Sequence, residues 1–274
     1  MKLFFWIIVL LGMLCSPKAG AGEPLGDAVS LKLYNKAGQQ VLNDALTSST
    51  FWDDAWNKRY EGKLYDEMRM KSIEAGYIPM ITGEGDVDFD QDVVQHIVFK
   101  RLTRLPTYMS GARAVVPLGS GWDTTHNVEY QDVYMYLDLT LFYCVFPQRM
   151  YRVKDASGRH VIYYELITED MVDAATWASY SAKIQSTNDT IKRRWPPFNA
   201  MVPPSEVYGM FVVGPGETRK TRVTYVTKLI FGEDAGFIAR WGSEMPSVLK
   251  AGLKSGFEAS VAIAKEEEAR RAKN

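Results

Sequence analysis

The sequence is poor in cysteine and histidine, and neither sign of charge dominates. Among 274 residues there are two cysteines and three histidines, and 32 basic against 33 acidic residues give a formal net charge of -1. Without a basic block, the chain lacks the electrostatic surface that a polyanion requires, so nucleic acid is not expected as a partner. His96, His126 and His160 lack the spacing of metal ligands. We therefore predict neither a metal site nor another cofactor.

The two cysteines, Cys15 and Cys144, give little scope for disulfide chemistry. If the first segment is removed by processing, Cys144 is the only cysteine in the mature chain and no intramolecular disulfide can form. Cys144 lies in the apolar run LTLFYCVF, which favours a small buried hydrophobe over a thiol nucleophile. An apolar environment raises the pKa of a thiol, and no histidine is close in sequence.

The chain begins with Lys2, an apolar run over residues 3–14, and Ala19 and Ala21 in an A-x-A arrangement. This pattern predicts a secretory signal peptide over residues 1–21 and therefore export, to the periplasm in a Gram-negative bacterium and otherwise to the outside. A retained anchor is the first alternative, but the run is shorter than the roughly 20 apolar residues of a membrane span. Lipidation at Cys15 is the second, and Leu14 suits it poorly.

The rest of the chain is predicted as helix, then strands, then helix. We expect one helix and a linker over residues 22–54, and a short helix with an aromatic face over residues 51–61. Alternating residues up to Phe89 predict a hairpin, and Asp90 can cap the helix that follows. The remaining strand predictions are ARAVVPLG, HNVEYQDVYMYLDLTLFYCVF, RMYRVKD, HVIYYELI, WASYSAKIQS, EVYGMFVVG and RVTYVTKLIF.

A long amphipathic helix is predicted at the end of the chain, beginning near Ser243. It is the only predicted element long enough to cover one face of the sheet. The predicted fold class is therefore α+β, with a curved antiparallel sheet around a C-terminal helix. Gly252 and Gly256 lie on one face of that helix, where small residues permit close packing or leave space for a ligand.

Four segments occur in a characteristic order before this helix: GEGDVDF, LPTYMSGA, FPQRMYRV and VPPSEVYGMFVVGPGETRKTRVTYVTKLIFGEDAGFIARW. In order and spacing they resemble the START (steroidogenic acute regulatory protein-related lipid transfer) domains of the helix-grip superfamily. The resemblance covers about residues 55–268 and leaves residues 269–274 as a tail. It implies a single lipid or sterol in an internal cavity between the sheet and the terminal helix.

Individual positions carry the resemblance less well than the order of the segments. Arg149 and Tyr151 match an arginine-aspartate-aromatic strand of START domains, but Met150 replaces the acidic residue. Tyrosines on neighbouring strands suit an apolar cavity with a few polar contacts. Glu165 together with Arg149 is a candidate polar anchor inside it, although surface exposure of both side chains is favoured. The residues predicted to contact the ligand are Tyr130, Tyr134, Tyr136, Arg149, Tyr163, Glu165, Phe211, Tyr225, Trp241, Leu249, Leu253 and Phe257.

Two long connections, residues 168–179 and 191–206, are predicted as lid material. The second combines prolines with Trp195 and Phe198 and follows three basic residues, which suits transient membrane contact or packing on its own domain. The favoured function is an exported, non-enzymatic lipid carrier.

Two other functions stay open. The first is a helix-grip cyclase or hydrolase that uses Glu165, Asp138 or His126 as its base. The second is an interaction protein whose interior is filled by its own side chains.

Overall fold

The structure is a computed structural model. It describes residues 33–47, 56–59, 67–72, 79–124, 126–155, 157–196, 198–216, 219–236 and 246–273. The predicted signal peptide, residues 1–21, lies outside these ranges. Side-chain positions are likewise outside the description for residues 56–59, 67–72, 79–85, 246–254 and a few single positions.

Ten described strands form one sheet, in the order β1-β2-β3-β10-β9-β7-β6-β5-β4 with β8 beside β6. All neighbours are antiparallel except the short parallel pair of β8 with β6. The strands are β1 Trp56–Arg59, β2 Glu67–Ser72, β3 Pro79–Val87, β4 Ala112–Asp123, β5 Val128–Asp138, β6 Tyr143–Lys154, β7 His160–Leu166, β8 Met201–Val202, β9 Glu206–Pro215 and β10 Thr221–Ile230.

Along the chain, the described helices precede β1, interrupt the strands after β3 and after β7, and follow β10. They are α1 Lys36–Thr47, α2 Gln91–Lys100, α3 Leu105–Tyr108, α4 Ala174–Thr190 and α5 Pro246–Arg271. Single 3-10 turns occupy Leu102–Arg104, Glu169–Met171 and Glu233–Ala235. Among the described helices, none combines the length and the apolar character that crossing a bilayer requires.

The sheet has two covered faces, which we call inner and outer. Successive side chains of a strand point to opposite faces, so Met135 and Leu137 of β5 lie on one face and Tyr134 and Tyr136 on the other. The inner face carries Met135 and Leu137 and packs in one cluster with residues of α2, α3 and α5. The outer face carries the two tyrosines and is covered by α4 and, farther along the sheet, by α1.

The predicted apolar stripe of α2 is confirmed, since Val94, Ile97 and Val98 are buried in the inner cluster. The described half of α5 joins the same cluster through small residues such as Ala259 and Ala264. Short side chains let helices approach closely, which is consistent with close packing as one role for Gly256, also buried. This arrangement of sheet and terminal helix confirms the predicted fold class.

The outer face shows that α1 is part of the packed molecule. Leu42 and Leu46 of α1 are fully buried against Tyr208 and Met210 of β9. A Cβ added at Gly38 of α1 would lie 2.8 Å from the Tyr208 ring, so the helix approaches the sheet closely. Residues 33–47, part of the segment 22–54 that the sequence predicts as a helix and linker ahead of the domain, thus contribute to the core.

Two secondary-structure predictions are wrong. Residues Trp56–Arg59 form a strand rather than part of a helix, because they pair with β2 and backbone pairing overrides the helical spacing of the aromatics.

The segment WASYSAKIQS belongs to α4 rather than to a strand. Asp173 caps that helix by accepting a hydrogen bond from the Thr176 backbone N–H at 2.9 Å. The predicted lid segment 168–179 therefore begins a helix on the outer face.

Candidate ligand site

A small apolar pocket lies on the inner face, between strands β5, β6, β7, β9 and β10. Its volume is about 40 Å³, bounded by described side chains. It is lined by Leu102, Met135, Leu137, Phe146, Gln148, Met150, Tyr164, Val207, Phe211, Thr227 and Leu229. A second gap of about 10 Å³ lies where β3, α2 and α5 meet. The side chains of the first two turns of α5 are not described. Both volumes therefore cover only the space that described side chains enclose.

The described polar groups of the inner pocket are all uncharged: Gln148, Tyr164 and Thr227. Burial raises the pKa of the Tyr164 hydroxyl, and a hydrogen bond with Thr227 only partly opposes that effect, so Tyr164 stays protonated at neutral pH. The Tyr164 ring lies against the Cα of Gly209, where an added Cβ would be 2.2 Å from the hydroxyl oxygen. A glycine at position 209 is therefore needed for Tyr164 to lie here.

The outer face holds a buried ion pair. Arg149 Nε and Nη2 donate to the two oxygens of Asp132, each at 2.7 Å, and the Tyr180 hydroxyl of α4 donates to Asp132 Oδ2 at 2.6 Å. The Arg149 guanidinium also lies 4.4 Å from the centre of the Tyr130 ring. Burial works against the charged guanidinium, but its hydrogen bonds to Asp132 and the negative charge of that carboxylate outweigh the effect, so the pKa of Arg149 is raised. Asp132 is itself fully buried.

Glu165 is also buried on the outer face, and it anchors the start of α1. Its carboxylate accepts hydrogen bonds from the backbone N–H of Asn35 at 3.0 Å, from that of Tyr34 at 3.3 Å, and from the Tyr151 hydroxyl at 3.0 Å. Burial raises the pKa of Glu165, and these bonds act in the opposite direction. An acidic group at a helix N-terminus is also favoured by the helix dipole.

A larger recess, of about 240 Å³, opens beside the start of α1. Its walls include the carboxylates of Glu165, Asp170 and Glu206. The first is bonded to the start of α1, and Glu206 accepts a hydrogen bond from Asn35 Nδ2 at 2.5 Å. Its polar, hydrogen-bonded walls do not suit an apolar ligand, so the inner pocket is the better candidate site.

Comparison with solved structures finds the same fold in known domains. Human STARD10 matches with a TM-score of 0.57 and 7% sequence identity, over 91% of this chain and 89% of that one. The lipid transfer and protein localization domain of human StarD13 matches with a TM-score of 0.50 and 11% identity, over 74% and 88%. Human StAR-related lipid transfer protein 5 gives 0.50 and 9%, over 84% and 94%.

The chain has the START helix-grip fold. The resemblance read from the segment order is thus confirmed at the level of fold. No protein-family model matches the sequence, and no curated protein does so either.

Within the START fold, one predicted ligand residue with a described side chain lies on the inner face: Phe211, which lines the pocket. Tyr225 pairs with Phe211 across β9 and β10, but its side chain is not described. Leu249, Leu253 and Phe257 lie on α5, also without described side chains, and Trp241 falls outside the described residues.

The other six predicted residues lie on the outer face, away from the inner pocket: Tyr130, Tyr134, Tyr136, Arg149, Tyr163 and Glu165. On each strand, the residues that alternate with these face the inner pocket instead. The expectation that Arg149 and Glu165 are exposed is wrong, since they are 9% and 1% exposed. Arg149 is cross-strand neighbour to Glu165, yet its ion-pair partner is Asp132.

The candidate catalytic bases do not meet in one site. Asp138 forms an ion pair with Arg194 at 3.0 Å, His126 Nδ1 lies 2.6 Å from Asp123, and Glu165 holds α1. Cys144 is fully buried in the inner cluster, and burial raises the pKa of its thiol, as expected of a small core residue. The described residues include no group of side chains suited to hold a metal ion.

Proposed function

We propose that this protein binds a single lipid or sterol between the inner face of the sheet and α5, and carries it between membranes. The observation that carries the proposal is an apolar inner pocket in a START fold. Two solved structures with this fold, from human StarD13 and human StAR-related lipid transfer protein 5, bear names that specify lipid transfer. Hiding a lipid chain from water is favourable by about 25 cal/mol per Å² of apolar surface. A carrier needs no catalytic group, and we propose that this protein is not an enzyme.

The size of the pocket sets a condition on this function. Ligand sites usually enclose roughly 300 to 1,000 Å³, whereas the described inner pocket holds about 40 Å³. A lipid therefore requires the inner face and the helices over it to separate, or it occupies space beside the first turns of α5. We propose that the inner pocket widens in one of these two ways when a lipid enters.

We also propose that the protein is exported. The proposal rests on the basic start, the apolar run and the A-x-A arrangement within residues 1–21. The carrier would then act in the periplasm of a Gram-negative bacterium, or outside the cell in another host. Its ligand would come from a membrane surface, and nucleic acid is not a proposed partner.

Membrane contact is proposed through the loop of residues 191–206. Trp195 is 89% exposed and Phe198 is 43% exposed, which is unusual for large apolar side chains. The loop is fixed at its base, where Arg194 pairs with Asp138 at 3.0 Å and its backbone N–H donates to the Tyr143 hydroxyl at 2.9 Å. Lys192 and Arg193 are exposed beside the aromatic side chains and would attract anionic headgroups.

We expect the double variant Trp195→Ala/Phe198→Ala to transfer lipid at least about tenfold more slowly, since two aromatic membrane contacts are lost. The measurement is transfer of the fluorescent sterol dehydroergosterol between vesicles that contain phosphatidylserine. Equilibrium binding of the sterol and the melting temperature should not change, because both side chains are exposed.

Trp122→Ala is the matched control, since Trp122 is 57% exposed at the far end of β4 and should not affect transfer. An equal effect of both variants, or none from the double variant, would contradict the loop as the contact. A wild-type protein that neither binds nor transfers any lipid would contradict the carrier itself.

A further inference from the structure

Gln148 is a buried amide that has no hydrogen-bond partner among the described residues. It is 6% exposed, at the middle of β6, and its side chain lines the inner pocket. Within the described part of the chain, its amide group takes part in no hydrogen bond. Such an amide can donate two hydrogen bonds and accept two, and buried polar groups are normally paired. An unpaired amide directed into a pocket is therefore a candidate contact for the polar group of a ligand.

The other described polar groups that line this pocket are paired. Tyr164 and Thr227 are hydrogen-bonded to each other, which leaves Gln148 as the unpaired group among the described lining. The charged side chains of the same strands, Asp132, Arg149 and Glu165, lie on the opposite face. Each is bonded to protein there. A charged headgroup entering the pocket would therefore find no opposite charge among the described lining residues.

We propose that the ligand is an uncharged lipid with a hydroxyl or carbonyl group, and that the Gln148 amide binds this group. The proposal rests on the proposed lipid-binding function and specifies the ligand class for the same site. Sterols, long-chain alcohols and acylglycerols belong to this class, whereas fatty acids, phospholipids and alkylamines do not. The physical reason is that a buried charge without a partner is far more costly than a buried hydroxyl that meets an amide.

Four ligands with the same 12-carbon chain test the headgroup directly: dodecanol, dodecanoate, dodecylamine and dodecane. Their affinities for the full-length protein at pH 7.5 are measured by displacement of the fluorescent probe N-phenyl-1-naphthylamine. We expect dodecanol to bind at least about tenfold more tightly than either charged ligand. It should bind roughly fivefold more tightly than dodecane, which offers Gln148 nothing to bind.

The variant Gln148→Leu tests the residue. It should abolish the preference for dodecanol over dodecane and leave the affinity for dodecane unchanged or improved. Gln131→Leu is the matched control, because Gln131 faces the same side of the sheet from β5, is 9% exposed, and does not line the pocket. That variant should keep the preference. If Gln148→Leu fails to fold, the ranking of the four ligands by the wild type still decides the ligand class.

The outcomes separate this inference from the proposed function. Dodecanoate or dodecylamine binding as tightly as dodecanol, or a folded Gln148→Leu variant that retains the preference for dodecanol, would overturn the inference and leave the carrier in place. Failure of all four ligands to displace the probe, together with no transfer of dehydroergosterol between vesicles, would overturn both.

Discussion

The variant Asp132→Ala is expected to lose about 3 to 5 kcal/mol of unfolding free energy. Asp132 is fully buried and binds Arg149 through two hydrogen bonds of 2.7 Å. Removing the carboxylate leaves the Arg149 charge buried without its counterion, and it also removes the acceptor of the Tyr180 hydroxyl. For a domain of this size such a loss corresponds to a fall in melting temperature of roughly 10 °C.

Denaturant unfolding at neutral pH measures this loss, with Asp88→Ala as the control. Asp88 pairs with Arg219 at 3.3 Å, but both side chains are well exposed, so its removal should cost less than about 1 kcal/mol. Replacing both buried partners, as Asp132→Leu/Arg149→Met, should recover much of the stability because no charge stays unpaired. A loss below about 1 kcal/mol for Asp132→Ala would contradict the role assigned to the pair.

The variant Gly209→Ala is expected to lose about 3 kcal/mol, because the new methyl group has no space. An added Cβ would lie 2.2 Å from the Tyr164 hydroxyl oxygen and 2.5 Å from the backbone carbonyl oxygen of Val226. The tyrosine could move, but the carbonyl belongs to β10, which is paired with β9 along its length. The substitution should therefore disturb both the sheet and the wall of the inner pocket.

Thermal unfolding of Gly209→Ala is compared with that of Gly232→Ala. A Cβ at Gly232 would meet only the Ser205 side chain, at 3.5 Å, an ordinary contact, and its φ of -66° is open to alanine. The control should change stability by less than about 1 kcal/mol. Equal stability of the two variants would show that the close approach of Tyr164 to β9 is not a feature of the molecule in solution.

The sequence predicts the architecture better than it predicts the ligand site. The helix after Asp90, the paired strands and the terminal helix carry strong local patterns, and the structure confirms them. Which face of each strand points inward was harder to predict, because α1 and α4 cover the outer face. Strand β5 is therefore buried almost along its whole length, and no alternation of apolar and polar residues marks the pocket side.

For the same reason, the many tyrosines on these strands did not indicate where the pocket lies. Tyr134 and Tyr136 pack under α4, whereas the pocket side of β5 carries Met135 and Leu137. Sequence reasoning missed Gln148, which belongs to no motif and carries no charge. A signal was present: Gln148 interrupts the alternating apolar set Cys144, Phe146 and Met150 of β6, where a polar residue requires an explanation.

The central claim is that a lipid binds at the inner face of the sheet, and methionine methyl NMR tests it most directly. Met135 and Met150 line the inner pocket, whereas Met210 is equally buried on the outer face of β9. Addition of dodecanol should shift the methyl signals of Met135 and Met150 and leave that of Met210 in place. A shift of the Met210 signal with the two inner signals unchanged would contradict the claim.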